Sequence, residues 1–298
     1  EILYKNNILT CDDALNILKS RDIQDKELYL IDCSSYCISD IKQIQEWYEA
    51  VSKAKFKYFE IDDINLLNNL SINDSCEILV NINNCNSPRR FINNIKYTIT
   101  CLDNLEEIRL FILDMININN NINIFISISL DKLLTKDNII NIYDILYLPL
   151  KDNIIGIILD TNGLYNENTI LKTIHNLYNK FNIRIGLQSN DINLNKHVLF
   201  HGCNILVSSI GGVGNYNGNL KSEEILCHLS INNKYEIANV MTMIEYYDKY
   251  IESKKEYINS NQNYHPLYLI GNVKGVSNKF IKNILNDNSI KECHKLLF

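Results

Sequence analysis

The stretch Ile183–Leu226 reads IRIGLQSNDINLNKHVLFHGCNILVSSIGGVGNYNGNLKSEEIL. Its first run, Ile183–Gln188, is short and rich in β-branched residues, the mark of a strand. Polar turn residues and a segment of helical spacing follow. A second apolar run, Asn204–Ser208, leads into a loop that holds Gly211, Gly212, Gly214 and Gly218, four of the ten glycines in the chain. A further helix then begins. The order is strand, turn, helix, strand, glycine-rich loop, helix. Strands joined in this way lie parallel, with right-handed crossovers.

The same alternation recurs toward the N-terminus. Six earlier runs read as strands: Leu28–Cys33, Lys57–Ile61, Glu77–Ile82, Lys96–Cys101, Ile124–Ser129 and Ile154–Asp160. Several, such as ILVNI and IIGIILD, are apolar nearly throughout, which suits parallel strands covered on both faces. Asp40–Trp47, Leu105–Met115 and Asn166–Leu171 carry helix starts or amphipathic spacing between them. Eight such units close into a barrel, so the expected fold class is α/β, a TIM (β/α)8 barrel with a C-terminal helical extension. An open doubly wound sheet is the alternative, and it leaves two or three strands without a place. Ahead of the first strand, Thr10 can cap a helix through Leu18. After the eighth unit the pattern is helical only, from a long stretch at Tyr235–Asn259 to Ile290–Leu297. The expected division is a barrel with its N-terminal helix over 1–232 and a helical extension over 233–298, packed on the barrel.

The 298 residues are 46% hydrophobic, ample for a full core, and carry a net charge of -6. No basic patch with interleaved aromatics occurs, and Pro88-Arg89-Arg90 reads as a solvated turn, so no nucleic-acid partner is expected. No apolar run approaches the roughly 20 residues of a membrane span, and no apolar leader opens the sequence. The nine cysteines are odd in number, scattered and without a CxxC pair, which fits reduced thiols in a cytoplasmic protein.

Several segments together resemble the HMG-CoA lyase-like barrels, or DRE-TIM metallolyases. Leu30-Ile31-Asp32-Cys33-Ser34-Ser35-Tyr36-Cys37 lies where that family ends its first strand in D-x-T-L-R-D. Tyr58-Phe59-Glu60-Ile61 resembles its second-strand I-E-x, and Leu159-Asp160-Thr161-Asn162-Gly163 resembles D-T-x-G. Gly186–Asp191 lies over G-x-H-x-H-N-D, and Gly211–Gly214 with Gly218-Asn219-Leu220 resembles G-x-G-x-x-x-G-N. The tail segment Tyr264–Gly271 resembles the 4-hydroxy-2-oxovalerate aldolase-like branch, found in bacterial surface-polysaccharide pathways. The resemblance implies a pyruvate-carboxyltransferase-type domain that makes or breaks a C–C bond beside a carbonyl through an enolate. It also implies a divalent metal, Mg²⁺ or Mn²⁺, held by an aspartate, two histidines and an asparagine, with an arginine beside the aspartate. Carried onto this chain, the aspartate becomes Cys37, the arginine Tyr36 and the histidines Leu187 and Ser189; only Asn219 and the supporting Glu60 are kept. Leucine cannot ligate a metal, and one amide carbonyl does not hold a hard cation that wants several oxygens. The expectation is therefore no metal and no cofactor, with Mg²⁺ or Mn²⁺ returning only if the site has been rebuilt.

The remaining candidates are polar groups at strand ends. Asp32, Glu60 and Asp160 are expected to project toward the barrel mouth, as an acid–base set or as structural carboxylates bonded to loop amides. Gln188, Asn190 and Asp191 form a polar cluster that could bind a sugar or keto acid, or merely fill a vacated metal cavity. The loop with Gly212 and Gly214, together with Asn219, offers backbone amides to an anion, or is simply a tight turn. His197 and His201 share a helix face, where a surface role outweighs zinc. Cys37 beside Tyr36 lacks a histidine to activate it as a nucleophile. These features lead to three expectations. The first is a degenerate, aldolase-like pseudoenzyme or binding subunit that takes a small anionic or 2-oxo-acid ligand. The second is an active lyase with a rebuilt site. The third is a protein partner engaged through the tyrosine-rich C-terminal helices.

Overall fold

A computed structural model describes residues 27–37, 40–73, 75–82, 95–101, 104–134, 136–161, 166–181, 183–212, 219–231 and 237–251. The expected N-terminal helix and the tail segment Tyr264–Gly271 lie outside the described residues. Eight strands, β1 (Tyr29–Asp32), β2 (Tyr58–Ile61), β3 (Glu77–Ile82), β4 (Lys96–Cys101), β5 (Asn123–Ser129), β6 (Ile154–Asp160), β7 (Arg184–Gln188) and β8 (Cys203–Ser209), pair in sequence order. Every pairing is parallel, and β1 also pairs with β8, with Leu30 opposite Leu206 and Asp32 opposite Ser208. That last ladder closes the sheet into an α/β TIM (β/α)8 barrel. A two-residue strand, β9 (Leu220–Lys221), adds to the end of β8.

The helices form where the sequence supplies a cap and an apolar stripe. Helix α1 (Ile41–Lys53) starts at Asp40, whose side chain accepts from the Lys42 amide, and buries Ile44, Trp47, Tyr48 and Val51. Asn104 caps α2 (Leu105–Ile118) in the same way. Helix α3 (Lys136–Ile142) continues into a wider turn at Tyr143–Tyr147. Asn166 caps α4 (Glu167–Lys180), and Asp191 caps α5 (Ile192–Leu199). The chain then forms α6 (Ser222–Ile231) and α7 (Ile237–Tyr246). Helix α7, at the start of the expected extension, docks on α1. The Trp47 and Tyr246 rings lie 4.5 Å apart, and the Tyr246 hydroxyl donates to the Gln43 carbonyl at 2.9 Å.

Two hydrophobic layers result. The outer layer lies between strands and helices. The inner one fills the lumen with Ile31, Tyr58, Leu79, Phe125, Ile158 and Val207, among others. Tyr29, Tyr58 and Phe125 stack edge to face there, with centroids 5.6 and 5.3 Å apart. Gly156 and Gly186 leave room for this layer: a Cβ on Gly156 would lie 2.8 Å from the Phe125 ring, and one on Gly186 2.8 Å from Ile205 Cβ. Below the aromatic layer, at the N-terminal end of the lumen, Glu77 binds Lys57 at 2.8 Å and also Lys96. Arg184 lies 3.7 Å from the centre of the Tyr29 ring.

Candidate ligand site at the barrel mouth

Alternation along each strand decides which side chains reach the lumen. Tyr58 belongs to the inner layer while Phe59 and Ile61 belong to the outer one, so Glu60 faces inward. The same parity, read from the layer memberships, turns Cys33, Asn81 and Asp160 inward at the ends of β1, β3 and β6. It also turns Thr98 and Thr100 of β4 and Ser127 and Ser129 of β5 inward. Gln188 and Ser209 complete the ring on β7 and β8. Every strand therefore ends in a polar group at the C-terminal mouth, the end at which barrel enzymes carry their sites.

Three side-chain hydrogen bonds from amide donors order this ring. Asn81 Nδ2 donates to Glu60 Oε1, and Glu60 is 3% exposed. Gln188 Nε2 donates to Asn219 Oδ1 at 3.3 Å, and Asn219 Nδ2 donates to Cys33 Sγ at 3.3 Å. Glu60 on β2 and Asp160 on β6 stand four strands apart in a ring of eight, on facing walls of the lumen.

Asp32 takes a different place from the one expected. It lies between inward-facing Ile31 and Cys33, so its side chain points outward into the seam between barrel and helices, where it is fully buried. There it accepts from the Ser34 amide at 3.0 Å, the Ser34 hydroxyl at 3.1 Å, Trp47 Nε1 at 2.8 Å and Ser222 Oγ at 3.3 Å. Burial pushes its carboxyl up to about 7, against the four hydrogen bonds that hold it down. Ser34 Oγ also accepts from the Ile210 amide at 2.8 Å, and Ser208 Oγ lies 2.9 Å from Ser222 Oγ. The network pins the β1–β8 closure to α1 and α6.

Leu187 takes a different place for the same reason. It is fully buried in the outer layer, and the residue of β7 that faces the lumen is its neighbour Gln188. The inward position at this strand end thus holds a carboxamide, already bonded to Asn219. Ser189 is buried, and its hydroxyl accepts from the Asp191 amide at 3.3 Å. Asp191 itself is engaged as a helix cap, accepting from the Asn193 and Leu194 amides at 2.8 and 3.2 Å. Asn190 is half-buried beside it.

At the described start of the glycine loop, the Gly211 amide already has a partner. Glu223, 2% exposed and on α6, accepts the Gly211 amide at 3.0 Å. Its carboxyl is pushed up to about 7 by burial. Gly212 has φ +72°, and a Cβ there would meet the Asn219 carbonyl at 3.0 Å, so the turn needs glycine. Gly214 and the side chains of Tyr36 and Cys37 lie outside the described residues. The sequence reading missed Glu223, Asn81 and Ser222, because nothing local marks a carboxylate, amide or hydroxyl that acquires its partner through tertiary packing.

The metal that the resemblance implies finds no fitting donor set among the described residues. Asn219 Oδ1 accepts from Gln188, Glu60 accepts from Asn81, and no three His, Cys, Asp or Glu side chains converge on a common point. His197 instead faces Glu167 at 2.5 Å on the outer surface; burial lowers the pKa of half-buried His201, with His175 and His197 adding to the effect.

No protein-family model matches the sequence, and no curated protein sequence matches it. Solved structures do. The N-terminal domain of a protein assigned as an aldolase, from Bacteroides vulgatus, superposes with a TM-score of 0.60 at 13% identity, covering 89% of this chain and all of that one. The carboxyl transferase domain of Rhizobium etli pyruvate carboxylase, solved with 3-hydroxypyruvate, superposes with a TM-score of 0.58 at 10% identity over 80% of this chain. The same domain with oxamate and biotin gives 0.56 at 11% identity over 81% of this chain. This chain spans about half the length of those carboxyl transferase domains. At such identities the likeness establishes the fold. No helix among the described residues is long and apolar enough to cross a membrane.

Proposed function

We propose that the chain is an aldolase-like barrel that keeps the scaffold of metal-assisted C–C bond enzymes without their ion chemistry. In this reading it serves as a binding subunit whose mouth takes a small polar ligand. The observation that carries the reading is Gln188: the inward position at the end of β7 holds a carboxamide committed to Asn219. Without a cation to polarise a carbonyl, an enolate has little to stabilise it there. The structural neighbours, an aldolase-class domain and a carboxyl transferase domain seen with pyruvate, support the aldolase/lyase ancestry. Incubation with pyruvate or 2-oxobutanoate, with and without Mn²⁺, tests it. No turnover is expected, and metal-dependent turnover overturns the reading.

A second reading rests on the facing carboxylates. Glu60 and Asp160 occupy opposite walls, as an acid and a base flanking a bound molecule would. It requires an activity that falls by orders of magnitude in Glu60→Ala and in Asp160→Ala; activity that survives both substitutions removes it. A protein partner engaged through the C-terminal extension is a separate proposal. Tyr246 is already taken up by α1 and is not available for that contact. Co-elution with a candidate partner in size-exclusion chromatography tests it.

A further inference from the structure

The seam outside the barrel wall holds a carboxyl built to exist in two forms. Asp32 is fully buried, and its hydrogen-bond partners are all uncharged: the Ser34 amide and hydroxyl, Trp47 Nε1 and Ser222 Oγ. When the carboxyl is ionised, Ser222 donates to it and Ser208 can donate to Ser222. When it is protonated, the same two hydroxyls can turn round, Oδ2 donating to Ser222 and Ser222 to Ser208. Desolvation favours the protonated form, while the fixed Trp47 and Ser34 donors favour the ionised one. A helix keeps water out of this seam. Helix α7 packs on both α1 and α6, which supply Trp47 and Ser222. It covers the Trp47 indole with the Tyr246 ring and buries Val240, Met241, Met243 and Ile244. The turn that follows, Tyr247–Ile251, reaches the start of the glycine loop at Ile210–Gly212. Other titratable groups near the seam are few among the described residues. Glu223 of α6 lies near Lys221 and Glu224, and burial pushes the Cys227 thiol up to about 12. Burial, and then the charge of Asp32, raises the Cys76 thiol, whose carbonyl accepts from the Tyr48 phenol at 2.8 Å. On α1, Lys42, Glu46, Glu49 and Lys53 are exposed, as is Glu245 on α7, and Lys249 reaches Glu46 at 2.8 Å.

We propose that Asp32 is a proton switch for the docking of α7: the helix seals the seam over the neutral carboxyl, and ionisation of the carboxyl loosens it. A docked helix excludes the water that would solvate a carboxylate, so docking favours the proton. By linkage the proton favours docking to the same extent. With α7 away, the wetted carboxyl ionises in the ordinary carboxylate range. The gain from protonation is therefore present in acid and is lost as pH rises through the docked value of about 7. Glu223, raised to about 7 in the same seam, adds in the same direction. The switch works on the outer face of the barrel and does not depend on what the mouth binds.

Trp47 is the only tryptophan in the chain, so indole emission reports this seam alone. A titration of the full chain from about pH 5 to about pH 9 is expected to show one emission step, centred at about 7 and moving to longer wavelength as pH rises. Over the same range the amide hydrogens of α7, corrected for the intrinsic pH dependence of exchange, should lose protection roughly tenfold or more. Asp32→Asn should flatten both signals, and Glu223→Gln should keep the emission step. Tyr246→Ala, which uncovers the indole, should move the step down toward the ordinary carboxylate range. A step that survives in Asp32→Asn overturns the proposal, as does its loss in Glu223→Gln or an unchanged midpoint in Tyr246→Ala. Equal protection of α7 at both ends of the range in the wild type overturns it without any variant.

Discussion

Asp32 and Glu223 are carboxyls taken out of water at the seam that closes the barrel. Both are raised to about 7 by burial. A carboxyl raised on folding contributes stability that is fully present below its unfolded value and is lost as pH rises through its folded value. Thermal stability contributed by these two groups should therefore fall between about pH 4 and about pH 8. His201 and His228, lowered by burial, act in the opposite direction in the acidic part of that range. The comparison that isolates Asp32 is wild type against Asp32→Asn. The amide keeps acceptors for Trp47 and the Ser34 amide and cannot ionise, so the variant should show a flatter profile of Tm against pH. Asp32→Leu, by contrast, orphans Trp47 Nε1 and the Ser34 amide and should cost about 2–4 kcal/mol in urea unfolding at pH 6. At this scale the sequence singled out Asp32, Leu187 and Gln188 but could not say which way each points. A one-residue change of parity moves a side chain from the lumen to the helical layer, and motif spacing does not resolve it.

Among elements, the strands were the most legible. The eight apolar runs were foreseen to within a residue or so at each end, because buried parallel strands are continuous blocks of β-branched residues. The capping residues Asp40 and Asn166 also fell where the helix starts were read. The packing between elements was not legible. Gly156 reads as a weak point in β6, yet it is where the Phe125 ring from β5 fits. Gly156→Ala should destabilise the barrel by about 1–3 kcal/mol, and Phe125→Leu in the same chain should recover part of that loss. Urea unfolding of the two single variants and the double variant measures the coupling; additive losses would refute the steric account. Docking of α7 on α1 depends similarly on one aromatic pair. Tyr246→Ala should cost about 3–5 kcal/mol and raise hydrogen exchange across both helices.

For the whole molecule, closure creates a property that no single segment has. A β1–β8 ladder brings Cys33 to Asn219 and sets Glu60 opposite Asp160, across 186 and 100 positions of sequence. Among the described residues this mouth carries carboxylates and carboxamides, and no three His, Cys, Asp or Glu side chains converge there. Mn²⁺ or Mg²⁺ at millimolar concentration should accordingly leave Tm unchanged in a thermal-shift measurement, whereas a bound ion would raise it by mass action. The sequence by itself determined the eight-unit barrel, the places of its helix caps and the absence of imidazoles from the end of β7, because periodicity and residue chemistry are local. Only the tertiary structure decided which polar groups share the lumen, that Asp32 leaves it for the helical seam, and that Glu223 receives the Gly211 amide. Those outcomes depend on strand parity and on contacts between residues far apart in the chain, and neither exists until the sheet has closed.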